Sequence, residues 1–426
     1  MLRIRWTQWA LVVGASAASS SGAWAAQVSN PPAQPPPPAT EHGAASSFWD
    51  ALTQGTPKLD VRFRAEFADQ DGLKGSEAYT VRTRLGYGTR TWKGFSGYVE
   101  MEDVRSPDDD AYNSTLNDNP DKTVIADPAG TELNEAWLGY EAAEQGLFRT
   151  KLGRQTITFD DHRFVGDVGW RQDNQTFDAA WLRSGLGVER LTATYAYLGQ
   201  INRIYAQEAD WSARSHLVNV GYAASEVVNV TGFAYLLDFE DDSPANSCQT
   251  YGARCTGSAK LGEGTALEYA ASFAAQADYG DNPLSYDAPY YALDLGLKLS
   301  GAGTFGAGYE VLGSDDGAKG FATPLATLHK FNGYADKFLN TPVDGLEDLY
   351  VYARSSTLPG GLTGILAYHA FSADEGSADY GEELDAVLTK RVNDRVVVGA
   401  KYAQFWGDDP AYADVSKFML DLTFAF

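Results

Sequence analysis

The sequence predicts an all-β chain: a transmembrane antiparallel β-barrel of about 18 strands, with short periplasmic turns and long extracellular loops. Three observations predict it. From Lys58 onward apolar and polar residues alternate with period two, in segments of roughly 10 to 14 residues, about twice the ordinary soluble strand. Short and long connections alternate between these segments. No apolar run of about 18 residues follows the N-terminus, which excludes a membrane-spanning helix but not a spanning strand.

Composition agrees. The 426 residues include 43 Gly, 24 Tyr and 20 Phe, with 3 Met and 2 Cys, a mixture that favours strands. Lys and Arg total 33 against 57 Asp and Glu, a net charge of −24, which excludes a sequence-blind nucleic-acid binder.

Taken in order, residues 1–25 read as a signal peptide: basic Arg3 and Arg5, an apolar stretch from Ala10 to Ala18, and the small-x-small sequence Ala23-Trp24-Ala25. Its removal takes away two positive charges and leaves −26. Residues 26–57 form a Pro-rich periplasmic segment with Pro31, Pro32 and Pro35 to Pro38, expected to stay outside the fold. The barrel is expected over residues 58–426. Leu59, Val61, Phe63, Ala65 and Phe67 alternate with Asp60, Arg62, Arg64 and Glu66, and the same alternation recurs at Tyr79–Tyr87, Tyr291–Leu299 and Phe418–Phe426. Short turns fall near residues 91–94, 143–146, 185–187, 224–226, 261–264, 301–303, 357–361 and 392–394. Longer loops fall near 69–77, 105–130, 158–174, 200–212, 239–247, 280–288, 314–345, 372–381 and 408–415. The resulting strand number is even, and both ends of the barrel lie on the short-turn side. The weakest strand is 249–260.

Export would place Cys248 and Cys255 in an oxidising compartment. On one extended strand they would stand ~23 Å apart, so a bridge requires Cys248 to sit in a loop that folds back. The terminal Phe426, following Leu420, Leu422 and Phe424 at period two, resembles an outer-membrane assembly signal and implies an encounter with the assembly machinery. A barrel of this kind also implies outer-membrane lipid and lipopolysaccharide as its surroundings.

Three long strings carry a family resemblance. They are Asp127-Pro128-Ala129-Gly130-Thr131-Glu132-Leu133-Asn134, the run from Arg163 to Gln172 continuing at Gln175 to Ala179, and the run from Thr323 to Gly333 followed by Ala335 to Phe338. On these the chain resembles the alginate-export family of outer-membrane porins, over nearly the whole of residues 58–426. The resemblance implies a monomeric 18-stranded barrel. It also implies export of an anionic polysaccharide, an alginate-like polyuronate, through a lumen with basic side chains partly closed by inward-folded loops. A porin for small anions is the alternative. Any periplasmic export partner would be a separate chain.

The alternation then points to the residues on the path. Arg62, Arg64, Arg82 and Arg84 come from neighbouring strands and should form one inward basic patch, since guanidinium binds carboxylate in two places and keeps its charge. Arg149, Lys151, Lys298, Arg354, Lys401 and Lys417 are further inward cations; Arg154 has the opposite parity and suggests a bulge. Acids point inward in similar number, including Glu100, Glu102, Glu135, Glu268, Asp294, Glu310, Asp348, Glu383, Asp385 and Asp421. For any single charge, bracing of the wall is therefore the stronger reading; for the clustered arginines, a patch facing Glu100 and Glu102. Loop 314–345 carries Phe321, His329, Phe331, Tyr334, Lys337 and Phe338, which favour packing inside the barrel mouth as a gate over an external cap.

Other chemistry finds little support. Asp108, Asp109 and Asp110 lack the Gly and distal Glu of a calcium loop and read as a solvated tip, so no metal is expected. Five His, no zinc spacing, no phosphate loop and no nucleophile elbow argue against an enzyme and against a cofactor. A plugged structural barrel would need bulky inward residues, whereas many inward positions are Gly, Ala, Ser or Thr.

Overall fold

The computed structural model describes residues 44–142 and 148–426. Eighteen strands follow one another around a closed sheet: β1 (Thr56–Gln70), β2 (Ser76–Gly88), β3 (Phe95–Arg105), β4 (Gly130–Glu141), β5 (Arg149–Gln155), β6 (Thr176–Ser184), β7 (Leu191–Asn202), β8 (Trp211–Ala223), β9 (Asn229–Leu237), β10 (Cys248–Gly262), β11 (Thr265–Asp278), β12 (Asp287–Leu299), β13 (Gly303–Leu312), β14 (Leu346–Leu358), β15 (Leu362–Ser372), β16 (Asp379–Asn393), β17 (Val396–Gly407) and β18 (Val415–Ala425). Every neighbour is antiparallel, and β18 pairs back onto β1 with Phe63 opposite Leu422 and Arg64 opposite Asp421. Closure leaves no unpaired sheet edge, as a strand in hydrocarbon requires.

The period of two separates two solvents. Outward residues such as Leu85, Leu138, Leu152 and Phe305 are more than half exposed, whereas Arg62, Arg64, Glu66, Arg82 and Arg84 on the other face are at most 5% exposed. Outward aromatics gather towards strand ends: Phe67, Tyr79 and Phe418 at the long-loop rim, Phe95 and Tyr140 at the short-turn rim. Small inward residues do not leave the lumen open. Tyr350 and Tyr352 lie across Gly308 and Gly306, where a Cβ would strike their rings. Two long loops fill much of what remains.

Several expectations are corrected. Part of the N-terminal segment is folded: Phe48–Thr53 forms one helical turn capped by Ser47, whose side chain accepts from the Asp50 N–H at 3.1 Å. Tyr87 then donates to the Leu52 carbonyl at 2.6 Å, and the barrel starts at Thr56, two residues early. Residues 249–260 lie in one of the longest strands, paired along its length with β9 and β11, and Arg254 on it reaches inward to Asp161 at 2.7 Å. Cys248 and Cys255 share that strand and are both free thiols, as the extended spacing demands. The loop after β1 is only a tight connection, residues 71–75. Arg154 lies on the outer face with Leu152 and pairs with Asp178 at 2.7 Å; the bulge is next door, where β6 and β7 shift register at Asp178/Ala179. A second bulge, between β3 and β4, lets Asn134 and Glu135 both serve the inner face. Residues 1–25, the Pro-rich run and the 143–146 turn lie outside the described residues.

Candidate functional site: a lumen closed by two loops

Alternation places Arg62 and Arg64 on β1 and Arg82 and Arg84 on β2, with Arg62 directly opposite Arg82. Four buried guanidiniums so close would repel one another. They are satisfied by segment 166–175 of the loop between β5 and β6, which descends into the barrel. Arg62 donates to Gln172 Oε1 at 2.9 Å, to the Gly169 carbonyl at 3.1 Å and to the Arg171 carbonyl. Arg64 reaches Asp421 at 2.8 Å, Asp127 at 3.1 Å and the Trp170 carbonyl. Arg82 holds Asp60 and the Gln172 carbonyl; Arg84 holds Glu102 and Asn174. The patch therefore exists, but its hydrogen bonds go to loop carbonyls and carboxylates rather than to open lumen.

The second loop, residues 313–345 between β13 and β14, enters from the same rim and packs inside the mouth. It rests on acids that the alternation had turned inward. Asn332 Nδ2 donates to Glu310 at 2.7 Å and to Asp348 at 3.1 Å; the Ala335 N–H donates to Glu383 at 2.6 Å and the Tyr334 N–H to Asp385 at 3.2 Å. His369 on β15 steadies Asp348 at 2.9 Å. Gly333 is in the left-handed region at φ +83°, directly above the Glu383 carboxyl, where any side chain would collide.

The loops also grip each other. Arg163, 2% exposed in side chain, makes a two-pronged bond to Glu310 (2.7 and 3.2 Å), donates to Asn332 Oδ1 at 3.1 Å and lies 4.7 Å from the Phe331 ring centre. Arg171 bridges Glu66 at 3.2 Å and Asp336 at 3.4 Å. The Trp170 ring stacks on His329, with Arg171 3.9 Å from its centre. His329 Nδ1 donates to Asp336 Oδ1 at 2.6 Å, and its Nε2 accepts from Lys401 Nζ at 2.6 Å. Burial pushes the His329 imidazole well below its ordinary pKa, with the Lys401 and Arg171 charges adding to the effect against Asp336. Burial alone would raise Asp336, but His329, Lys417 and Arg171 outweigh it and hold that carboxyl well below the usual range.

The remaining expected residues sort as follows. Lys417 donates to Asp336 at 2.7 Å. Glu100 accepts from Lys58 at 3.0 Å and Asn134 at 2.8 Å, and Glu135 accepts from Trp137 at 3.0 Å. Glu268 takes both Lys298, at 3.4 Å, and Arg354. Phe321 packs on Phe164 and Tyr290; Tyr334 stacks on His329; Lys337 lies 5.5 Å from the Phe405 ring centre. Phe338 is seated among Phe371, Tyr380, Phe405 and Tyr412. Arg149 and Lys151 stand apart from the loops. Arg149 is largely exposed and pairs with Glu141 at 2.7 Å, and Lys151 lies 4.1 Å from the Trp137 ring centre.

Below the loops, towards the short-turn rim, a cavity of about 1030 Å³ remains. Lys58, Arg90, Arg149, Lys151, Arg183 and Arg190 line it, against Glu141 and Asp160 among the described residues, with Trp137 and Trp181 on one wall. Arg149 and Arg183 stand opposite each other on β5 and β6. This wide cationic vestibule is where a ligand could enter, and Arg90, Arg183 and Arg190 were not among the residues that alternation nominated. Nor were Asp127, Arg163, Trp170, Arg171, Gln172 and Asp336, which lie in loops that period two cannot orient. They fall inside the three strings that carried the resemblance, and that was their only signal.

An apolar exterior, a closed 18-stranded meander and a charged, loop-filled lumen define an outer-membrane channel of the porin kind. Solved porins share the fold. OccK9 (OpdG) of Pseudomonas aeruginosa superposes with a TM-score of 0.69 at 15% identity, covering 88% of this chain and 99% of its own. OpdL of the same organism gives 0.65 at 17% identity, covering 87% and 98%. OpdK, determined with vanillate, gives 0.67 at 12% identity, covering 87% and 98%. The family model for alginate export matches residues 54–333, and the chain belongs to that family. No curated protein matches it.

Proposed function

We propose that this channel carries an anionic polysaccharide, an alginate-like polyuronate, passively outward across the outer membrane. The observation that carries the reading is the vestibule: among the described residues six cations line the periplasmic mouth against Glu141 and Asp160, with Glu100 paired to Lys58, in a chain whose net charge is −24. A cationic funnel raises the local concentration of a polyanion at the entrance. Trp137 and Trp181 offer flat apolar faces beside Lys151, Arg149 and Arg183, which suits a pyranose bearing a carboxylate. Family membership supports the polymer's class. In this reading residues 1–25 direct export and the barrel acts as a monomer. A second reading, a porin for small anions, is favoured by the loop-filled lumen and by the likeness to OpdK, determined with vanillate.

The test is the reversal potential of the refolded barrel in a planar bilayer under a salt gradient, with and without alginate oligomer. Anion selectivity with oligomer block is expected. Anion selectivity without block moves the function to small anions, and cation selectivity without block overturns both readings.

A further inference from the structure

We propose that Asp336 is a built-in surrogate for the substrate: its carboxylate occupies a carboxylate-binding cage in the lumen, and an arriving uronate takes the same cage and releases loop 313–345. The inference rests on the channel carrying carboxylate-bearing sugars.

The cage is assembled from three separate parts of the chain. Lys417 on the β18 wall donates to Asp336 Oδ2 at 2.7 Å, and Arg171 from the other loop reaches the same oxygen at 3.4 Å. His329 Nδ1 donates to Oδ1 at 2.6 Å and is itself oriented by Lys401 on β17. The Asp336 side chain is 4% exposed and those of Lys417, Arg171 and His329 at most 5%. Without an anion in the cage Arg171 would keep Glu66, at 3.2 Å, but Lys417 would lose its paired carboxylate, and an uncompensated buried cation is strongly unfavourable. Asp336 supplies the anion from the loop rather than from the wall.

A uronate carboxylate has the same two oxygens. It can satisfy Lys417 and Arg171 as Asp336 does, while His329, on the same loop as Asp336, leaves with it, so exchange leaves no buried cation without a partner. An uncharged sugar cannot. The differential affinity that opening requires is thus written into the cage, and it makes closure the resting state and carboxylate arrival the trigger.

The experiment uses the full chain in a planar bilayer, with glucuronate as probe and glucose as its uncharged control. Glucuronate should raise the conductance of the wild type, and Asp336→Ala should raise the resting conductance and lower the half-effective glucuronate concentration by at least about tenfold, since the internal competitor is gone. Glucose should change the conductance of neither form, and adding Lys417→Gln to Asp336→Ala should abolish the gained glucuronate affinity. The near-isosteric Asp336→Asn should shift in the same direction by a smaller factor, which keeps the test available if the alanine variant does not fold. Raised conductance with an unchanged glucuronate dependence in both variants would make Asp336 a mere prop and overturn the inference. An anion-selective, oligomer-blocked wild type with that result leaves the transport reading standing; a cation-selective wild type removes both.

Discussion

Replacing Arg163 by Met, which roughly keeps side-chain length, removes the ion pair that ties the loop between β5 and β6 to Glu310 on the β13 wall, beside Asn332 of the second loop. In the closed lumen Arg163 neutralises Glu310, which is 6% exposed, through two hydrogen bonds of 2.7 and 3.2 Å. Tyr290 and Asn332 would still donate to Glu310, each at 2.7 Å, but neither carries charge. Removing one partner of a buried pair costs about 3–5 kcal/mol. The cost falls on the closed arrangement alone, because water reaches Glu310 once the loops leave. At about 1.4 kcal/mol per decade, a 3 kcal/mol loss shifts the closed-to-open ratio by roughly 100-fold or more. A lumen closed about 99% of the time would then be open about half the time. Single-channel recording reads this directly as open probability. Glu310→Leu in the Arg163→Met background, which removes the stranded carboxylate as well, should restore most of the closure. If Arg163→Met changes open probability less than about fivefold, or the double variant opens as much as the single one, the Arg163–Glu310 pair does not hold the loops and the reasoning fails.

Two further outcomes follow from other contacts. Phe338→Ala empties the aromatic seat formed with Phe371, Tyr380, Phe405 and Tyr412 and should cost the loop about 3–5 kcal/mol. Hydrogen exchange in residues 331–339 should accelerate while β14 and β15 stay protected; equal protection in both proteins would show that the seat does not anchor the loop. Acid should also open the channel. Buried His329 has its pKa depressed, so the released loop binds a proton that the closed one does not, and closure weakens as pH falls below His329's ordinary value of about 6.5. Asp336, depressed as well, stays ionised through that window, with Lys401, Arg171 and Lys417 as the surrounding charges. Conductance should therefore rise between pH 7.5 and 5.5 in the wild type and lose that slope in His329→Gln; a slope that persists in the variant refutes the assignment to His329.

The barrel was legible because a strand between lipid and a wet lumen must alternate, and the alternation is local. Period two alone orients Arg62, Arg64, Arg82 and Arg84 inward, and it turns Glu310, Asp348, Glu383 and Asp385 inward without any knowledge of what they face. Strand number and the side of each turn follow from segment length and connection length, so β1 to β18 are readable in order. The short helix at Phe48–Thr53 was missed because six residues carry too little periodicity, and their role depends on a partner, Tyr87, far along the chain.

What the inward charges do was decided only in three dimensions. Arg64 meets Asp127, Asp421 and the Trp170 carbonyl from three remote parts of the chain, and no local pattern announces such a meeting. Loops have no period to orient them, so Arg163, Arg171 and Asp336 stayed without a direction until the barrel enclosed them. Sequence by itself determined the wall and which charges line it, because membrane and water impose their order residue by residue. Tertiary structure alone decided that those charges clasp two loops over a cationic vestibule, because pairing energy in a buried lumen depends on which ions meet.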